Sequence, residues 1–162
     1  MTDLDARTLR NGFGEFMTGV TIITTKDAEG IPRGLTANSF SSLSLDPPLL
    51  MFALGRDSTT FDAFDAGNGF VVHMLADEQR DLAVRFSAKG IDRFDGVAWS
   101  EGHESLPVID GSLATFECSP DHVYDGGDHL ILVGRIERCT VGDRTRPALG
   151  YFRGSYVTAP SV

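Results

Sequence analysis

The stretch GLTANSFSSLSLDPPLL, residues 34–50, limits how the rest of the chain can be arranged. Its first half alternates apolar and small polar residues, which predicts a half-buried strand. Its second half holds four serines between positions 39 and 44 and ends at Asp46-Pro47-Pro48. Together with Thr36 and Asn38, these hydroxyls would give a strand edge many short donors and acceptors, which suits a flat ligand that carries a phosphate. An edge strand that runs into a serine-rich loop explains the same composition equally well.

The composition predicts one globular domain over residues 1–162. Hydrophobic residues make up 41% and charged residues 23% of the chain, which is ordinary for a soluble protein with a sizeable core. No apolar run approaches the roughly 20 residues of a membrane-spanning helix, so no membrane partner is expected. The first residues, MTDLDARTLR, lack the apolar segment of a signal peptide, and cytoplasmic residence is therefore the expectation.

The formal net charge is −9, from 23 acidic and 14 basic side chains. Such a surface repels a phosphate backbone, so nucleic acid is not expected as a partner. A small phosphate ester would need positive charge concentrated at its own site. The basic residues considered for this role are Arg56, Arg85, Lys89, Arg93 and Arg153.

The cysteine pattern gives no sign of a metal site. Cys118 and Cys139 each lie in an apolar, strand-like stretch, without CxxC spacing or a nearby histidine cluster. Buried, reduced thiols are the prediction for both, and no metal ligands are assigned.

Hydrophobic periodicity predicts mostly strands with short helices. The predicted helices cover residues 5–17, 59–66 and 77–86. The predicted strands cover residues 20–25, 49–54, 70–75, 113–118 and 130–141. Ser58 is the expected N-cap of the second helix, Gly19 is the expected C-cap of the first, and residues 88–107 are expected to be irregular. Many strands without βαβ alternation favour a β-barrel over a doubly wound sheet.

Four separated segments carry a more specific signal, because they agree in content and order with one family. They are FGEFMTGVTIITT at 13–25, RFSAKGIDRF at 85–94, DGGDHLILVGRI at 125–136 and YFRGSY at 151–156. With residues 34–50, they resemble the short-chain flavin reductases, the reductase components of two-component flavin-dependent monooxygenases. The resemblance implies a mainly β fold with short helices, a split β-barrel of the FMN-binding type with Greek-key connections, and a flavin site completed by a homodimer.

The resemblance also implies an activity. An NAD(P)H-dependent flavin reductase transfers hydride from NADH or NADPH to FMN or FAD, and reduced flavin then passes transiently to a partner monooxygenase. The choice between FMN and FAD, and between NADH and NADPH, stays open at this point.

Several flavin contacts are implied on and after the first strand. Thr36, Ala37, Asn38 and Ser39 correspond to the edge of the isoalloxazine ring, and Ser42 and Leu43 lie nearer the ribityl phosphate. Taken alone, Ala37 and Leu43 would be interpreted as packing residues.

The phosphate side of the flavin is implied to involve two further segments. Ser58 and Thr59 match a position that contacts the phosphate or ribityl end, although a helix N-cap explains them without any ligand. Arg85, Phe86 and Lys89 are the other implied contacts, and an arginine can grip phosphate oxygens in pairs. Basic residues near a helix C-terminus are otherwise ordinary surface residues.

His129 is the implied catalytic residue, placed against the nicotinamide as a positioning and electrostatic group. An exposed turn histidine is the alternative. His73 is predicted to face the core or an interface, and His103 and His122 are predicted to lie on the surface.

The segment Arg153-Gly154-Ser155 is implied to approach the pyridine nucleotide, with Gly154 allowing close backbone contact. Two other functions are compatible with parts of the sequence. One is a non-catalytic flavin-binding split barrel that acts as a sensor or store. The other is a serine hydrolase built on Asp128, His129 and a serine, which the lack of a G-x-S-x-G elbow disfavours.

Overall fold

A computed structural model describes residues 4–65 and 67–160 of the chain. In these ranges the protein has three α-helices and twelve strands. The helices are α1 Ala6–Gly14, α2 Phe61–Asp65 and α3 Arg80–Ser87. The strands are β1 Thr18–Gly19, β2 Thr21–Lys26, β3 Pro32–Ala37, β4 Ser41–Leu45, β5 Pro48–Gly55, β6 Phe70–Met74, β7 Trp99–Glu101, β8 Pro107–Ile109, β9 Ala114–Asp125, β10 His129–Val141, β11 Ala148–Phe152 and β12 Ser155–Ala159.

Seven strands form one antiparallel sheet in the order β3-β2-β6-β9-β10-β5-β4. Two smaller sheets accompany it, β1-β11-β12 and β7-β8. The large sheet ends at β3 on one side and at β4 on the other, so backbone pairing among the described residues does not close it. The hairpins β2–β3 and β4–β5 are joined by residues 38–40 alone, whereas a long connection that contains β6, β7 and β8 leads from β5 to the hairpin β9–β10. The predicted fold class, mainly β and a split barrel with Greek-key connections, is confirmed.

The inside of the curved sheet is an aromatic and aliphatic core. Phe52 is the centre of this core, because its ring meets Phe64 at 5.6 Å and Phe70 at 5.1 Å, both edge to face. Such edge-to-face pairs stabilise a core beyond the area that they bury. Leu50, Phe52 and Leu54 alternate with half-buried residues along β5, so one face of this strand forms the wall of the barrel.

A second apolar cluster lies on the other face of β2. Ile22 and Ile23 point to opposite faces and are both fully buried, so β2 contributes to both cores. The second cluster joins Ile22 to Ala83 and Phe86 of α3 and to Leu149 of β11. It therefore fixes helix α3 and the β1-β11-β12 sheet against the barrel.

Gly34 allows the close contact between α3 and β3. A Cβ atom at this position would lie 2.8 Å from the Phe86 ring and 3.1 Å from the carbonyl oxygen of Ile23. Any larger residue would have to displace the ring, because a Cβ atom cannot approach so closely. The first residue of the serine-rich stretch thus determines how near α3 lies to the strand.

Several predicted boundaries differ from the structure. Helix α1 ends at Gly14 with Glu15 as its C-cap, and Gly19, the predicted cap, lies in β1. The region 88–107, predicted to be irregular, contains the short strand β7 and a 3₁₀ turn at His103–Ser105. Strand β9 continues well past its predicted end at residue 118.

The predictions for buried and exposed side chains are mostly confirmed. Cys118 is buried, as predicted, but Cys139 is exposed, so the prediction of two buried thiols was wrong for Cys139. His73 is fully buried in the core and His122 is exposed, whereas His103 is only half-exposed. Within the described ranges, none of the helices is long and apolar enough to span a bilayer.

Candidate functional site

An open cleft runs between α1, the end of β3 and the β11–β12 turn. It consists of two adjoining cavities of about 640 and 550 Å³, which share Asn38, Tyr151 and Gly154 as lining residues. Each has the size of an ordinary small-molecule site. The predicted residues Thr36, Ala37, Asn38, Arg153, Gly154 and Ser155 all line this cleft.

On the β3 side, part of the predicted hydrogen-bonding capacity is already used. The Thr36 hydroxyl donates to the carbonyl of Ala83 in α3 at 2.5 Å, and the Thr21 hydroxyl donates to the carbonyl of Ala37 at 2.7 Å. The Thr36 hydroxyl can therefore only accept from a ligand, through its two lone pairs, because its proton is engaged. Asn38 is exposed at the point where both cavities meet, and its amide can both donate and accept.

Ser39 lies between the two edges of the barrel. Its hydroxyl donates to the carbonyl of Ala53 at 2.9 Å and accepts from the backbone N–H of the same residue at 3.1 Å. The Ser39 side chain thus pairs with the backbone of β5 through two hydrogen bonds, as a neighbouring strand would. Ser42 and Leu43 lie on the exposed edge strand β4, where the pairing with β5 is shifted between Ser42 and Ser44. In the described chain these two residues are not among those that line the cleft.

Ser58 lies three residues before α2, which begins at Phe61, so its hydroxyl caps the turn that leads into the helix and is not at the predicted N-cap position of the helix itself. Its hydroxyl oxygen accepts from the backbone N–H of Thr60 at 3.3 Å and lies 2.9 Å from the Thr60 hydroxyl. Thr59 lies beside it and is exposed, and its hydroxyl accepts from Nη2 of Arg93 at 3.3 Å.

Arg93 connects three parts of the candidate site. Besides the contact with Thr59, its Nη1 donates to the carbonyl of Gly34 at 2.6 Å and its Nε donates to the carbonyl of Ala88 at 2.8 Å. Burial lowers the pKa of Arg93 from its usual value. The guanidinium still carries its charge, since an arginine pKa starts far above neutral pH.

Arg85 holds the loop that carries Arg93. Its Nε donates to the carbonyl of Arg93 at 2.9 Å, its Nη2 donates to the carbonyl of Asp92 at 3.0 Å, and Asp95 lies 3.7 Å away. Phe86 is fully buried against Phe94 at 5.1 Å, edge to face. These residues support the site from behind, and their contacts with a flavin stay a prediction.

At the other end of the cleft, Arg153 forms a two-pronged ion pair with Glu15. The distances are 2.7 Å from Nη2 to Oε2 and 3.1 Å from Nε to each carboxylate oxygen. The ion pair and its hydrogen bonds raise the pKa of Arg153. Arg153 and Gly154 form the tight turn between β11 and β12, with φ of 48° and 78°.

His129 lies at the start of β10, opposite Gly55 of β5. Its Nδ1 is 2.6 Å from a carboxylate oxygen of Asp128, which fixes the ring and lowers the pKa of Asp128. Arg56 ties the preceding turn to β5 through the carbonyl of Gly127 at 3.0 Å. Among the described residues, those that line the cleft do not include His129.

The structure therefore brings the predicted residues into two groups. Thr36, Ala37 and Asn38 face the Arg153–Ser155 turn, while Thr59 joins the loop behind α3 through Arg93. Lys89 is exposed just after α3. Within the described ranges, no group of three or more His, Cys, Asp or Glu side chains is arranged to hold a metal ion.

Sequence reasoning missed several lining residues. Tyr151, Tyr156, Arg80 and Ser87 line the smaller cavity, and Glu15 lines the larger one. Tyr151 and Tyr156 could have been predicted as lining residues, since both belong to the YFRGSY segment that resembles the family. Their rings meet edge to face at 5.5 Å and give the cleft an aromatic wall.

The arrangement suits the binding of a flat aromatic ligand better than covalent catalysis. The cleft combines an aromatic wall, the edge strand β3 and the exposed amides of Asn11 and Asn38. Edge strands leave backbone groups free on one side, and these can bind the polar rim of a ring. The four serines of residues 39–44 are on β4 or beside β5, and among the described residues His129 forms its hydrogen bond with Asp128 and not with any of these serines.

Comparisons with known proteins point to one family. Residues 13–160 match the model of the flavin reductase like domain. The chain is 42% identical over 162 residues to the reductase component of the flavin-dependent trigonelline monooxygenase of Acinetobacter baylyi, covering 98% of this chain and 52% of that protein. It is also 42% identical to the FMN reductase (NADH) SmoA of Agrobacterium fabrum, covering 86% of this chain and 79% of SmoA.

A solved structure agrees in both fold and sequence. The NADH:FAD oxidoreductase SgcE6 of Streptomyces globisporus, in complex with NAD and FAD fragments, superposes with a TM-score of 0.88 at 37% identity, and the match covers 97% of this chain and 94% of SgcE6. The chain spans about half the length of the A. baylyi relative and most of the length of the other two. Since the family model matches residues 13–160 of the 162-residue chain, the chain belongs to the flavin reductase like family.

Proposed function

We propose that this chain is an NAD(P)H-dependent flavin reductase that transfers hydride from NADH or NADPH to FMN or FAD. The observation that carries the proposal is the family match over residues 13–160, with relatives that are named as reductase components or NADH-dependent reductases. We further propose that residues 1–162 form one domain, that two copies form a homodimer, and that reduced flavin passes to a partner monooxygenase.

The residues present fit a flavin and a nicotinamide. The cleft offers the acceptor and donor pair of Asn38, the edge strand β3 and the aromatic wall of Tyr151 and Tyr156. A planar, apolar ring with a polar rim needs these elements. Thr59 and Arg93 offer a hydroxyl and a positive charge at the other end of β3, where a phosphate would be neutralised locally against the net charge of −9.

When both groups are bound, hydride transfer between them is their own chemistry, and the protein supplies alignment. We assign Thr36, Ala37, Asn38 and Ser39 to the ring edge, and Arg153, Gly154 and Ser155 to the nucleotide. The phosphate end is assigned to Ser42, Leu43, Ser58, Thr59, Arg85, Phe86 and Lys89. His129 orients the nicotinamide, and no side chain is required as a nucleophile. Because Ser42, Leu43 and His129 are away from the cleft of one copy, this assignment depends on the second copy.

NADH oxidation tests the proposal. The purified protein should oxidise NADH only when FMN or FAD is added or already bound, and anaerobic mixing should bleach the flavin absorbance. A flavin-binding sensor or store is the alternative, and it would bind flavin without steady oxidation of NADH. Failure to bind either flavin would contradict both functions.

A further inference from the structure

The ion pair between Glu15 and Arg153 lies inside the cleft that the proposed function assigns to the nucleotide. Both residues line the larger cavity, and both are well exposed, with 58% of the Glu15 side chain and 64% of the Arg153 side chain accessible. A two-pronged arginine–carboxylate pair is more specific in geometry than a single contact. Glu15 therefore occupies the Nε–Nη2 edge of a guanidinium that faces a ligand cavity.

The backbone of Arg153 is held in place without the help of Glu15. Its N–H donates to the carbonyl of Gly14 at 3.0 Å, and the turn formed with Gly154 fixes its position at the end of β11. The guanidinium also lies over the ring of Phe152, 4.9 Å from the ring centre, which is a favourable cation–π position. Loss of the Glu15 carboxylate would therefore leave Arg153 near its present place.

The effect of Glu15 on a bound anion follows from charge. The carboxylate cancels the charge of Arg153 and competes for the donors that a phosphate would use. An anionic ligand must replace Glu15 at Arg153 or share the guanidinium with it, so its net gain is smaller than from a free arginine.

We propose that Glu15 sets the affinity of the protein for the pyridine nucleotide by competing with the nucleotide diphosphate for Arg153. The proposal rests on the function proposed above. Glu15 acts through Arg153 and is thus a positioning residue that keeps binding weak enough for the oxidised nucleotide to leave. Its effect should appear in nucleotide affinity and not in the hydride-transfer step.

The test measures the Kd for NAD⁺ by calorimetry on the flavin-loaded protein, together with kcat and KM for NADH. Glu15→Gln keeps the shape of the side chain and removes its charge, and we expect it to lower the Kd and the KM about two- to fivefold, the range expected for an exposed ion pair. The kcat should not rise. The matched control is Glu78→Gln, which removes an exposed carboxylate that pairs with the half-buried Arg146 at 2.6 Å, and it should leave the Kd and the KM unchanged.

A second variant shows whether Glu15 acts through Arg153. In an Arg153→Ala background, which should bind NAD⁺ more weakly, Glu15→Gln should lower the Kd by clearly less than it does in the presence of Arg153, because only the direct repulsion by the carboxylate is left. A weaker affinity of Glu15→Gln for NAD⁺, an unchanged affinity, or an effect that is as large without Arg153 as with it would overturn the proposal. If the wild-type protein binds no NAD⁺ and oxidises no NADH, the proposed function fails as well. Binding that is insensitive to Glu15 contradicts this inference alone.

Discussion

His73 is a fully buried histidine whose two ring nitrogens both meet backbone groups. Nδ1 lies 3.0 Å from the carbonyl of Ile22, and the N–H of Ile109 donates to Nε2 at 2.9 Å. A carbonyl can only accept and an amide N–H can only donate, so the ring is neutral with its proton on Nδ1. Burial lowers the pKa of His73 to about 4. The side chain joins β2, β6 and β8 in one protonation state.

Because the pKa of His73 is lowered by folding, the free energy of unfolding should decrease as the pH falls. The pKa in the unfolded chain is about 6.5, above the folded value, so the unfolded state binds the proton more readily. The contribution of His73 is complete above pH 6.5 and is lost as the pH falls to about 4, by about 3 kcal/mol. Urea denaturation across this range should show a steeper loss of unfolding free energy for wild type than for His73→Gln. Parallel curves for the two proteins would contradict the prediction.

His129 makes the second prediction at the residue scale. Asp128 fixes its Nδ1, so Nε2 is the atom available to a nicotinamide or flavin oxygen. His129→Ala should lower kcat/KM for NAD(P)H by roughly ten- to a hundredfold and change flavin affinity by less.

His122→Ala is the matched control for His129. His122 is also exposed and also pairs with the preceding aspartate, with 2.5 Å between its Nδ1 and Asp121. Stopped-flow flavin reduction should be slowed only by the change at His129. Equal rates for both variants would remove His129 from the site.

At the scale of elements, the junction between α3 and β3 depends on the missing side chain of Gly34. Gly34→Ala should destabilise the protein by about 1–3 kcal/mol, because the added methyl group overlaps the Phe86 ring. Gly19→Ala is the control, since it lies in a strand with no atom within 4 Å of the new Cβ position. Urea midpoints should separate the two variants, and an equal effect would mean that Phe86 moves aside without cost.

The sequence was sufficient to predict the positions of those strands in which buried residues follow a simple periodic pattern. The strands at 20–25, 49–54 and 70–75 were predicted nearly to the residue, because one face or both faces of each are buried. The prediction that Cys139 is buried was wrong because its burial depends on strand pairing between distant parts of the chain. Strand β10 pairs with β5 only as far as Arg135, and its later residues pair with β9 alone, so an apolar-looking segment projects beyond the core.

The candidate site was predictable in part for a similar reason. Thr36, Asn38 and Gly154 belong to recognisable local segments, and the structure brings them to one cleft. The role of Arg93 was not predictable, because it depends on carbonyl and hydroxyl groups 59 and 34 residues away along the chain. Glu15 could not be found either, since its partner Arg153 is 138 residues distant.

At the scale of the whole molecule, α1 and the residues after it expose an unusual amount of apolar surface. Phe13 is 73% and Phe16 is 77% exposed, and Met17 and Leu4 are also exposed. Contiguous apolar surface of this kind is typical of an interface. We expect a homodimer in solution that covers this surface and completes the flavin site.

Light scattering should give the mass of two chains at micromolar concentration. Phe16→Asp should shift the mass towards one chain with little loss of monomer stability, because the side chain is already in contact with solvent. Ile31→Asp is the control, since Ile31 is 49% exposed at the turn between β2 and β3. A wild-type monomer, or dissociation caused equally by both variants, would rule out this interface.

The two ends of the large sheet are neighbours along the chain. Strand β3 ends at Ala37 and β4 begins at Ser41, so the polypeptide between them can span no more than about 14 Å even when fully extended. The gap between the two edge strands, β3 and β4, is therefore limited in width at the end where this short connection joins them. It can widen only at the opposite end. Asn38 and Ser39 lie within this short connection. A ligand bound at Asn38 and Ser39 would therefore contact the end of the gap whose width is limited, and any widening would separate the opposite ends of the two edge strands, Pro32 of β3 and Leu45 of β4.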